Sequence, residues 1–173
     1  MINRKICLLG MFATGKTSLV RRYVQNLFDE KYLSTIGVNI TQKLLPPIQD
    51  EKNNWIQYNF VIWDIEGADP KSKLVKNYYL GAHGAILVTD LTRMETLDEL
   101  DPLINVFQSV NPDANLVIAG SKHDLCDGQS LPLHKVTEFG AERNINTYFT
   151  SSKTGENVEE LFHELATLMV RQP

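Results

Sequence analysis

The sequence predicts an α/β protein with helices on both faces of an open, mostly parallel sheet. Two observations favour this class. Short apolar runs typical of strands alternate with segments of helical periodicity along nearly all of the 173 residues. A glycine-rich loop at residues 10–17 separates the first strand from the first helix, which is the arrangement that a phosphate-binding loop needs. The length predicts a single domain spanning residues 1–173.

Six apolar runs are predicted to form strands. They cover residues 5–9, 38–45, 55–63, 85–89, 116–119 and 147–149. The polar, proline-containing segment PPIQDEKNN separates the second run from the third, so this pair is predicted to form an antiparallel hairpin. The remaining strands are short and apolar, as parallel strands covered on both faces are.

Five segments have the periodicity of helices. They are residues 16–27, a segment after Pro70, a segment between Glu95 and Val110, a segment that begins near Pro132, and residues 156–170. The last is the clearest, because its apolar residues recur on one face. Pro102 interrupts the third segment, which either restarts there with Asp101 as its cap or kinks.

Composition excludes several classes of protein. The 17 basic and 21 acidic residues leave a net charge of −4, which does not indicate a nucleic-acid-binding surface. No apolar run approaches the roughly 20 residues of a membrane span, and the N-terminus does not have the pattern of a signal peptide. Cys7 and Cys126 do not form a disulfide framework. We expect a cytoplasmic monomer that binds no nucleic acid.

Lipid anchors are not evident either. Residue 2 is isoleucine, so the Met-Gly pattern for myristoylation is missing, and the sequence ends without a cysteine for prenylation. Any recruitment to membranes is therefore expected to come through partner proteins.

The segment GMFATGKT matches the pattern G-x-x-x-x-G-K-[ST] through Gly10, Gly15, Lys16 and Thr17. Glycines let the backbone turn so that its N–H groups point at phosphate oxygens. Lys16 would reach the β- and γ-phosphates, and the Thr17 hydroxyl would bind Mg²⁺. The alternative is a glycine-rich turn that binds nothing, which the flanking strand and helix disfavour.

Further motifs lie at the ends of the predicted strands. STIGV precedes the hairpin, WDIEG closes the third strand, SKHD follows the fifth, and TSSKTG follows the last. With YYLGAHGAILVTDLTR and SSKTGENVEELF, these motifs make the chain resemble a Ras-superfamily small GTPase of the Rab-like branch. The resemblance extends from about residue 5 to residue 169. It implies a Ras-like P-loop G domain, with a six-stranded sheet and about five helices, that binds GTP or GDP with Mg²⁺.

The resemblance also assigns roles at the phosphate end of the site. Asp64, at a strand end, would hold Mg²⁺ through water, the alternative being a helix cap or a surface aspartate. Thr35 would join the Mg²⁺ when GTP is bound, and the Gly67 N–H would donate to the γ-phosphate. Lys16, Thr35 and Gly67 are thus the expected catalytic set, and Thr17, Thr35 and Asp64 the expected metal set.

The same resemblance predicts two switch loops, residues 29–38 and 64–78. Contacts to the γ-phosphate exist only with GTP, so these loops are expected to order with GTP and relax with GDP. They are the expected contact surface for effector, exchange-factor and activating proteins.

Asp124 is expected to select the base. A carboxylate accepts both N–H groups on the Watson–Crick edge of guanine, whereas adenine presents an acceptor there. Lys122 would pack its stem along one face of the base. The resemblance places Phe28 across the other side, and the alternative is a core phenylalanine at the end of the first helix.

The Ser152 N–H would meet the guanine oxygen, while Ser151 and Lys153 brace Asp124. The predicted nucleotide-binding residues are Ala13, Thr14, Gly15, Lys16, Thr17, Ser18, Phe28, Thr35, Gly67, Ser121, Lys122, Asp124, Ser151, Ser152 and Lys153.

Three residues near the γ-phosphate depart from the family pattern. Ala68 stands where the family has the glutamine that orients the attacking water. Phe12 replaces a small residue in the phosphate loop, and Glu66 replaces a small neutral one. Neither switch loop contains an arginine, and Asp69 is a weak candidate for positioning water. We expect slow GTP hydrolysis.

Two other functions stay open. One is a pseudo-GTPase, an interaction module that binds GTP without significant hydrolysis. The other is a P-loop kinase or ATPase, which Lys122 and Asp124 disfavour. Ser121 stands where the family has asparagine, and the loss of about one hydrogen bond, on the order of 0.5–1.5 kcal/mol, predicts faster nucleotide exchange.

Overall fold

The strands lie close to their predicted positions in the computed structural model, which describes residues 1–29, 37–66, 73–126 and 130–171. The strands are β1 (Ile2–Leu9), β2 (Gly37–Leu44), β3 (Ile48–Gln49), β4 (Trp55–Ile56), β5 (Tyr58–Glu66), β6 (Gly84–Asp90), β7 (Asn115–Ser121) and β8 (Asn146–Phe149). The helices are α1 (Lys16–Gln25), α2 (Lys73–Tyr79), α3 (Glu95–Asp98), α4 (Leu100–Gln108), α5 (Ser130–Glu142) and α6 (Val158–Arg171).

Six of these strands form one sheet in the order β2-β5-β1-β6-β7-β8. Strand β1 runs parallel to both β5 and β6, and β7 runs parallel to β6 and β8. Only β2, at the edge, is antiparallel to its neighbour β5. The prediction of a mostly parallel six-stranded sheet with one antiparallel strand from the hairpin is confirmed.

The third predicted strand, residues 55–63, is wrong as one continuous element. Residues Trp55–Ile56 pair with Ile48–Gln49 in a separate two-stranded ribbon, and the main strand begins at Tyr58. The backbone N–H of Leu45 donates to the Tyr58 carbonyl at 2.9 Å and closes the hairpin there. Pro46 follows and has no N–H with which to extend the ladder. The small ribbon is therefore an insertion at the tip of the predicted hairpin.

The third predicted helix is divided into α3 and α4, but the break is not at Pro102. Helix α4 begins at Leu100, so Pro102 lies in its first turn, where a missing N–H leaves no helical hydrogen bond unmade. Asp101 is not the cap. Its carboxylate instead accepts hydrogen bonds from Nε and Nη2 of Arg143, both at 2.7 Å.

Two helix ends also differ from prediction. Helix α1 ends at Gln25 because Asn26 adopts a left-handed conformation with φ 55°, and its N–H caps the Arg22 carbonyl. Helix α6 begins at Val158 because Gly155 and Asn157 have φ angles of 89° and 54°, which a helix cannot contain.

Apolar side chains cover the sheet on both faces. Along β1, Ile6 and Leu8 pack with α1 and α6, whereas Cys7 and Leu9 pack with α2, α4 and α5. Burial raises the pKa of the Cys7 thiol to about 12, so the thiol stays protonated in this core. No helix in the described ranges has both the length and the apolar character to cross a bilayer.

Candidate functional site

The phosphate loop joins β1 to α1 at the carboxyl edge of the sheet, and its glycines are required there. A Cβ on Gly10 would lie 2.3 Å from the carbonyl oxygen of Val88 on β6, so no side chain fits. Gly15 has φ 96° at the start of α1, a conformation that favours glycine. The loop is therefore held tightly against the sheet, with its backbone turned toward the start of α1.

Lys16 is only 2% exposed and lies beneath this loop. Its ammonium donates to the carbonyl oxygens of Gly10 at 3.0 Å and Met11 at 2.7 Å. The Thr14 hydroxyl also donates to the Met11 carbonyl, at 2.9 Å. These bonds hold a positive charge against the concave side of the loop, where an anion would bind.

Thr17 and Asp64 meet beside Lys16. The Thr17 hydroxyl donates to Oδ2 of Asp64 at 2.5 Å, and Asp64, opposite Leu8 in the β1–β5 register, is 1% exposed. A hydroxyl and a carboxylate are hard oxygen ligands, which suit Mg²⁺. In the described ranges no group of three or more His, Cys, Asp or Glu residues forms a metal site. This donor set fits Mg²⁺, which usually keeps waters and substrate phosphates in its shell.

Two loops at the ends of β7 and β8 come together near the phosphate loop. The Ser121 hydroxyl donates to the Thr14 carbonyl at 2.6 Å. The Ser151 hydroxyl donates to Oδ1 of Asp124 at 2.6 Å. Asp124 lies in a 3-10 turn, His123–Leu125, just after Lys122, which has φ 61°. The structure thus brings the predicted base-reading carboxylate to the same edge of the sheet as the phosphate loop.

The Lys122 ammonium contacts the phosphate loop directly. It donates to the Ala13 carbonyl at 3.2 Å and to Oδ2 of Asp90 at 2.6 Å. Asp90, at the end of β6, is fully buried. Burial alone would raise the pKa of this carboxyl, but hydrogen bonds from Lys122, Thr92 and Arg93 outweigh burial and hold its pKa below the ordinary value. Asp90 therefore stays ionised and pairs with Lys122.

Helix α1 is tied to the loop after β8 through Arg22. Its Nε donates to the Ser152 carbonyl at 2.5 Å and its Nη2 to the Lys153 carbonyl at 2.6 Å. Because α1 begins at the phosphate loop, Arg22 links the loop after β8 to the helix whose N-terminus would face a phosphate.

The two phenylalanines singled out in the sequence are both exposed. The Phe12 residue is 56% exposed and Phe28, beyond the end of α1, is 38% exposed. The alternative of a core role for Phe28 is therefore wrong. Both rings are accessible to a ligand or to a partner protein.

Comparison with known proteins decides the family. The chain matches the model of the Ras family over residues 5–171. It belongs to that family. It is 32% identical over 168 residues to GTP-binding protein ypt4 of Schizosaccharomyces pombe, covering 96% of this chain and 71% of that protein.

Other relatives of this Ras-family protein carry Rab names. It is 33% identical to Ras-related protein Rab5A of Oryza sativa subsp. japonica, covering 98% of this chain and 81% of the relative. It is also 33% identical to Ras-related protein Rab-31 of Rattus norvegicus, covering 94% and 80%. The predicted resemblance to the Rab-like branch is confirmed.

Ser121 keeps a contact with the phosphate loop, because its hydroxyl reaches the Thr14 carbonyl. Its neighbour across the strands is Thr150, which follows the Gly120–Phe149 pair. The Thr150 hydroxyl is buried and makes no hydrogen bond within the described part of the chain. Serine therefore keeps the link to the loop, and the loss of about one hydrogen bond relative to asparagine stays a prediction.

Several predicted residues of this Ras-family protein lie outside the described residues. They are Thr35, Gly67, Ala68 and Asp69, with residues 30–36 of the first switch loop and residues 67–72 of the second. Phe28 lies beyond the end of α1, and no hydrogen bond or ring contact among the described residues joins it to the site. The other predicted site residues that are described lie on the carboxyl edge of the sheet or its adjoining loops: Ala13, Thr14, Gly15, Lys16, Thr17, Ser18, Asp64, Ser121, Lys122, Asp124, Ser151, Ser152 and Lys153.

Sequence reasoning missed Arg22, Asp90 and Arg93. Arg22 and Arg93 contact groups 81 to 131 residues away, and Asp90 acts through Arg93 and Lys122. No spacing rule in the sequence relates residues at such distances. The available signals were a basic residue on α1 and an Asp-x-x-Arg pair just after an apolar strand.

Proposed function

We propose that this Ras-family protein is a switch that binds GTP and GDP together with Mg²⁺. The observation that carries the proposal is the hydrogen bond from Ser121 to Thr14 at 2.6 Å. This bond fixes the loop that carries Asp124 against the loop that carries Lys16. A base-reading carboxylate and a phosphate cradle at one edge of the sheet form a nucleotide site.

Each phosphate group has a matching residue in this proposal. Backbone N–H groups at the start of α1 and the Lys16 ammonium bind the β- and γ-phosphates. Thr17 and Asp64 would hold Mg²⁺, Asp64 through water, and the ion when bound would supply positive charge to the phosphate oxygens. Thr35 and Gly67 complete the γ-phosphate contacts when GTP is present.

Guanine is selected by Asp124. The Ser151 hydroxyl donates a hydrogen bond to Oδ1 of Asp124 and holds the carboxylate in place. The carboxylate then accepts from both N–H groups on the guanine edge, whereas adenine would present a lone pair to it. A site built on such hydrogen bonds discriminates against a base that lacks them by a factor of about 10⁴–10⁵.

Hydrolysis is proposed to be slow. Attack on the γ-phosphate needs a water held in line, and Ala68 has no group that hydrogen-bonds water. A second candidate function is a GTP-held interaction module without significant hydrolysis. Phe12 favours it, because an exposed aromatic ring in the phosphate loop would occupy space that an activating arginine needs.

Partners are proposed to bind beside the switch loops. Ile40 is 49% exposed on the edge strand β2 and pairs with Trp63 of β5, so the two side chains share one face. The Trp63 ring lies 6.4 Å from that of Tyr78. The Lys5 ammonium lies 3.9 Å from the Trp63 ring centroid. This aromatic surface suits a protein partner.

We place the protein in the cytoplasm, with membrane recruitment through such partners.

Two measurements test the proposed function. Titration of GTP, GDP and ATP in the presence of Mg²⁺ should show tight guanine-nucleotide binding and at least a thousandfold weaker ATP binding. Equal ATP binding would instead support a P-loop kinase or ATPase. Single-turnover hydrolysis of bound GTP should be slower than the roughly 3–5 × 10⁻⁴ s⁻¹ of Ras. GTP that stays intact for a day would favour the interaction module.

A further inference from the structure

Two neighbouring carbonyl oxygens of the phosphate loop are each held by a cation from elsewhere in the chain. Nη2 of Arg93 donates to the Phe12 carbonyl at 2.9 Å. The Lys122 ammonium donates to the Ala13 carbonyl at 3.2 Å. These contacts act on the middle of the loop, between the glycines that anchor its ends.

Both cations share one anchor. Oδ2 of Asp90 accepts from Nε of Arg93 at 2.9 Å and from the Lys122 ammonium at 2.6 Å. Its other oxygen accepts from the backbone N–H and the hydroxyl of Thr92, at 3.0 Å and 2.7 Å. We call Asp90, Arg93 and Lys122 the Asp90 clamp. Asp90 is fully buried, so the anchor is rigid, and the clamp joins the base-reading loop to the phosphate loop.

Arginine suits its place in the clamp for a geometric reason. The planar guanidinium directs Nε to the carboxylate and Nη2 to the Phe12 carbonyl at the same time. A lysine ammonium at position 93 is a single point charge on a flexible stem, and it would hold both acceptors less well. The Arg93 side chain is 37% exposed, so the outer half of the clamp lies at the surface.

We propose that Arg93 is a positioning residue that holds the phosphate loop closed on bound nucleotide and thereby slows nucleotide release. The inference rests on the proposed function, since it needs a nucleotide in the loop. Without Arg93, the carbonyl of Phe12 loses this charged donor, and the loop is held less firmly between its glycine anchors. Arg93 acts through the loop backbone and does not itself touch the nucleotide.

The test compares three variants of the full chain, Arg93→Met, Arg93→Lys and Arg21→Met. Arg21, on α1, is the matched control because it makes no hydrogen bond to the phosphate loop in the described part of the chain. Each protein is loaded with a fluorescent GDP analogue and Mg²⁺, and dissociation is followed after adding excess GDP. The ³¹P chemical shifts of bound GDP are recorded in parallel, because they report the geometry around the phosphates.

Arg93→Met should release GDP about tenfold faster, as expected for losing a charge-assisted hydrogen bond. The GDP release rate of Arg93→Lys should lie between those of Arg93→Met and the wild type. The β-phosphate shift should move in Arg93→Met and stay unchanged in Arg21→Met. If Arg93→Met does not fold, Arg93→Lys provides the same two readouts.

The outcomes separate the two proposals. A wild-type protein that binds no GDP would remove the proposed function itself. A wild type that holds GDP, with Arg93 variants matching Arg21→Met in both release rate and phosphate shift, would overturn the role of Arg93 alone.

Discussion

The hydroxyl of Ser121 donates a hydrogen bond of 2.6 Å to the carbonyl oxygen of Thr14, across 107 positions of sequence. This contact connects the end of β7 to the phosphate loop. Together with the Asp90 clamp, it makes the loop of residues 10–15 part of the same unit as the loop that carries Asp124. Nucleotide exchange is therefore expected to respond to residues at both ends of the site.

Replacing Ser121 by asparagine should slow GDP release. The longer amide keeps a donor for Thr14 and adds a second polar group that can bond the base. One added hydrogen bond, about 0.5–1.5 kcal/mol, corresponds to a release rate lower by roughly two- to tenfold. The dissociation rate of a fluorescent GDP analogue measures the effect.

Ser121→Ala is the control, because it removes the Thr14 contact and should speed release. If Ser121→Asn released GDP at an unchanged or faster rate, the longer amide would add no hydrogen bond that serine lacks.

Replacing Ala68 by glutamine should raise GTP hydrolysis. An amide side chain can accept from and donate to the attacking water, which the methyl group of Ala68 cannot do. An increase of tenfold or more is expected, as positioning a reactant lowers the barrier by about 1.4 kcal/mol for each factor of ten. Single-turnover release of phosphate from GTP-loaded protein measures it, with Ala68→Leu as a control of similar bulk. Equal rates of GTP hydrolysis in wild type and Ala68→Gln would show that another group positions the attacking water.

Replacing Asp124 by asparagine should abolish the preference for guanine. The amide places a donor against one of the two N–H groups of guanine, so a charge-assisted bond is replaced by a clash of donors. Losing one charge-assisted bond of about 1.5–3 kcal/mol, weakening the other and adding this clash predict a GTP affinity lower by at least a hundredfold. Competition between GTP and ATP for the site gives the ratio.

Ser151→Ala is the milder companion, since it removes only the hydroxyl that holds Asp124. Undiminished GTP binding in Asp124→Asn would rule out Asp124 as the base reader.

The stability of the protein should decrease in mild acid through His83. Burial and the nearby Arg4 charge lower the pKa of His83 below its ordinary 6.5, and its Nδ1 accepts from the Lys5 N–H at 3.2 Å. The folded state therefore disfavours the protonated ring. The contribution of the neutral His83 ring to the free energy of unfolding is fully present above about pH 6.5. It is lost as the pH falls below that value toward the lower pKa of the folded state.

The free energy of unfolding should thus decline less between pH 7.5 and pH 5 in His83→Gln than in wild type. Denaturant titrations at several pH values measure this difference. His163→Gln removes an imidazole from the exposed face of α6 and serves as the control. Parallel curves for wild type and His83→Gln would contradict the prediction.

Local patterns in the sequence determined the class of fold and the phosphate loop. Strands buried on both faces of the sheet are apolar, and helices that cover the sheet have one apolar face. Each segment therefore shows its type in its own pattern of apolar residues. The match of Gly10, Gly15, Lys16 and Thr17 is readable because the loop's chemistry depends on residues a few positions apart. A break in the third helical segment was predicted for the same reason, although it lies at Glu99 and not at Pro102.

Only the tertiary structure decided how the loops are joined. Arg93 meets Phe12 across 81 positions, Lys122 meets Ala13 across 109, and Arg22 meets Ser152 across 130. The order of strands brings these residues to one edge of the sheet, and no periodicity links them along the chain. The same is true of Ser121, whose contact with Thr14 no local pattern in the sequence predicts. Side-chain partners at long range depend on packing, which a single sequence does not encode in any local pattern.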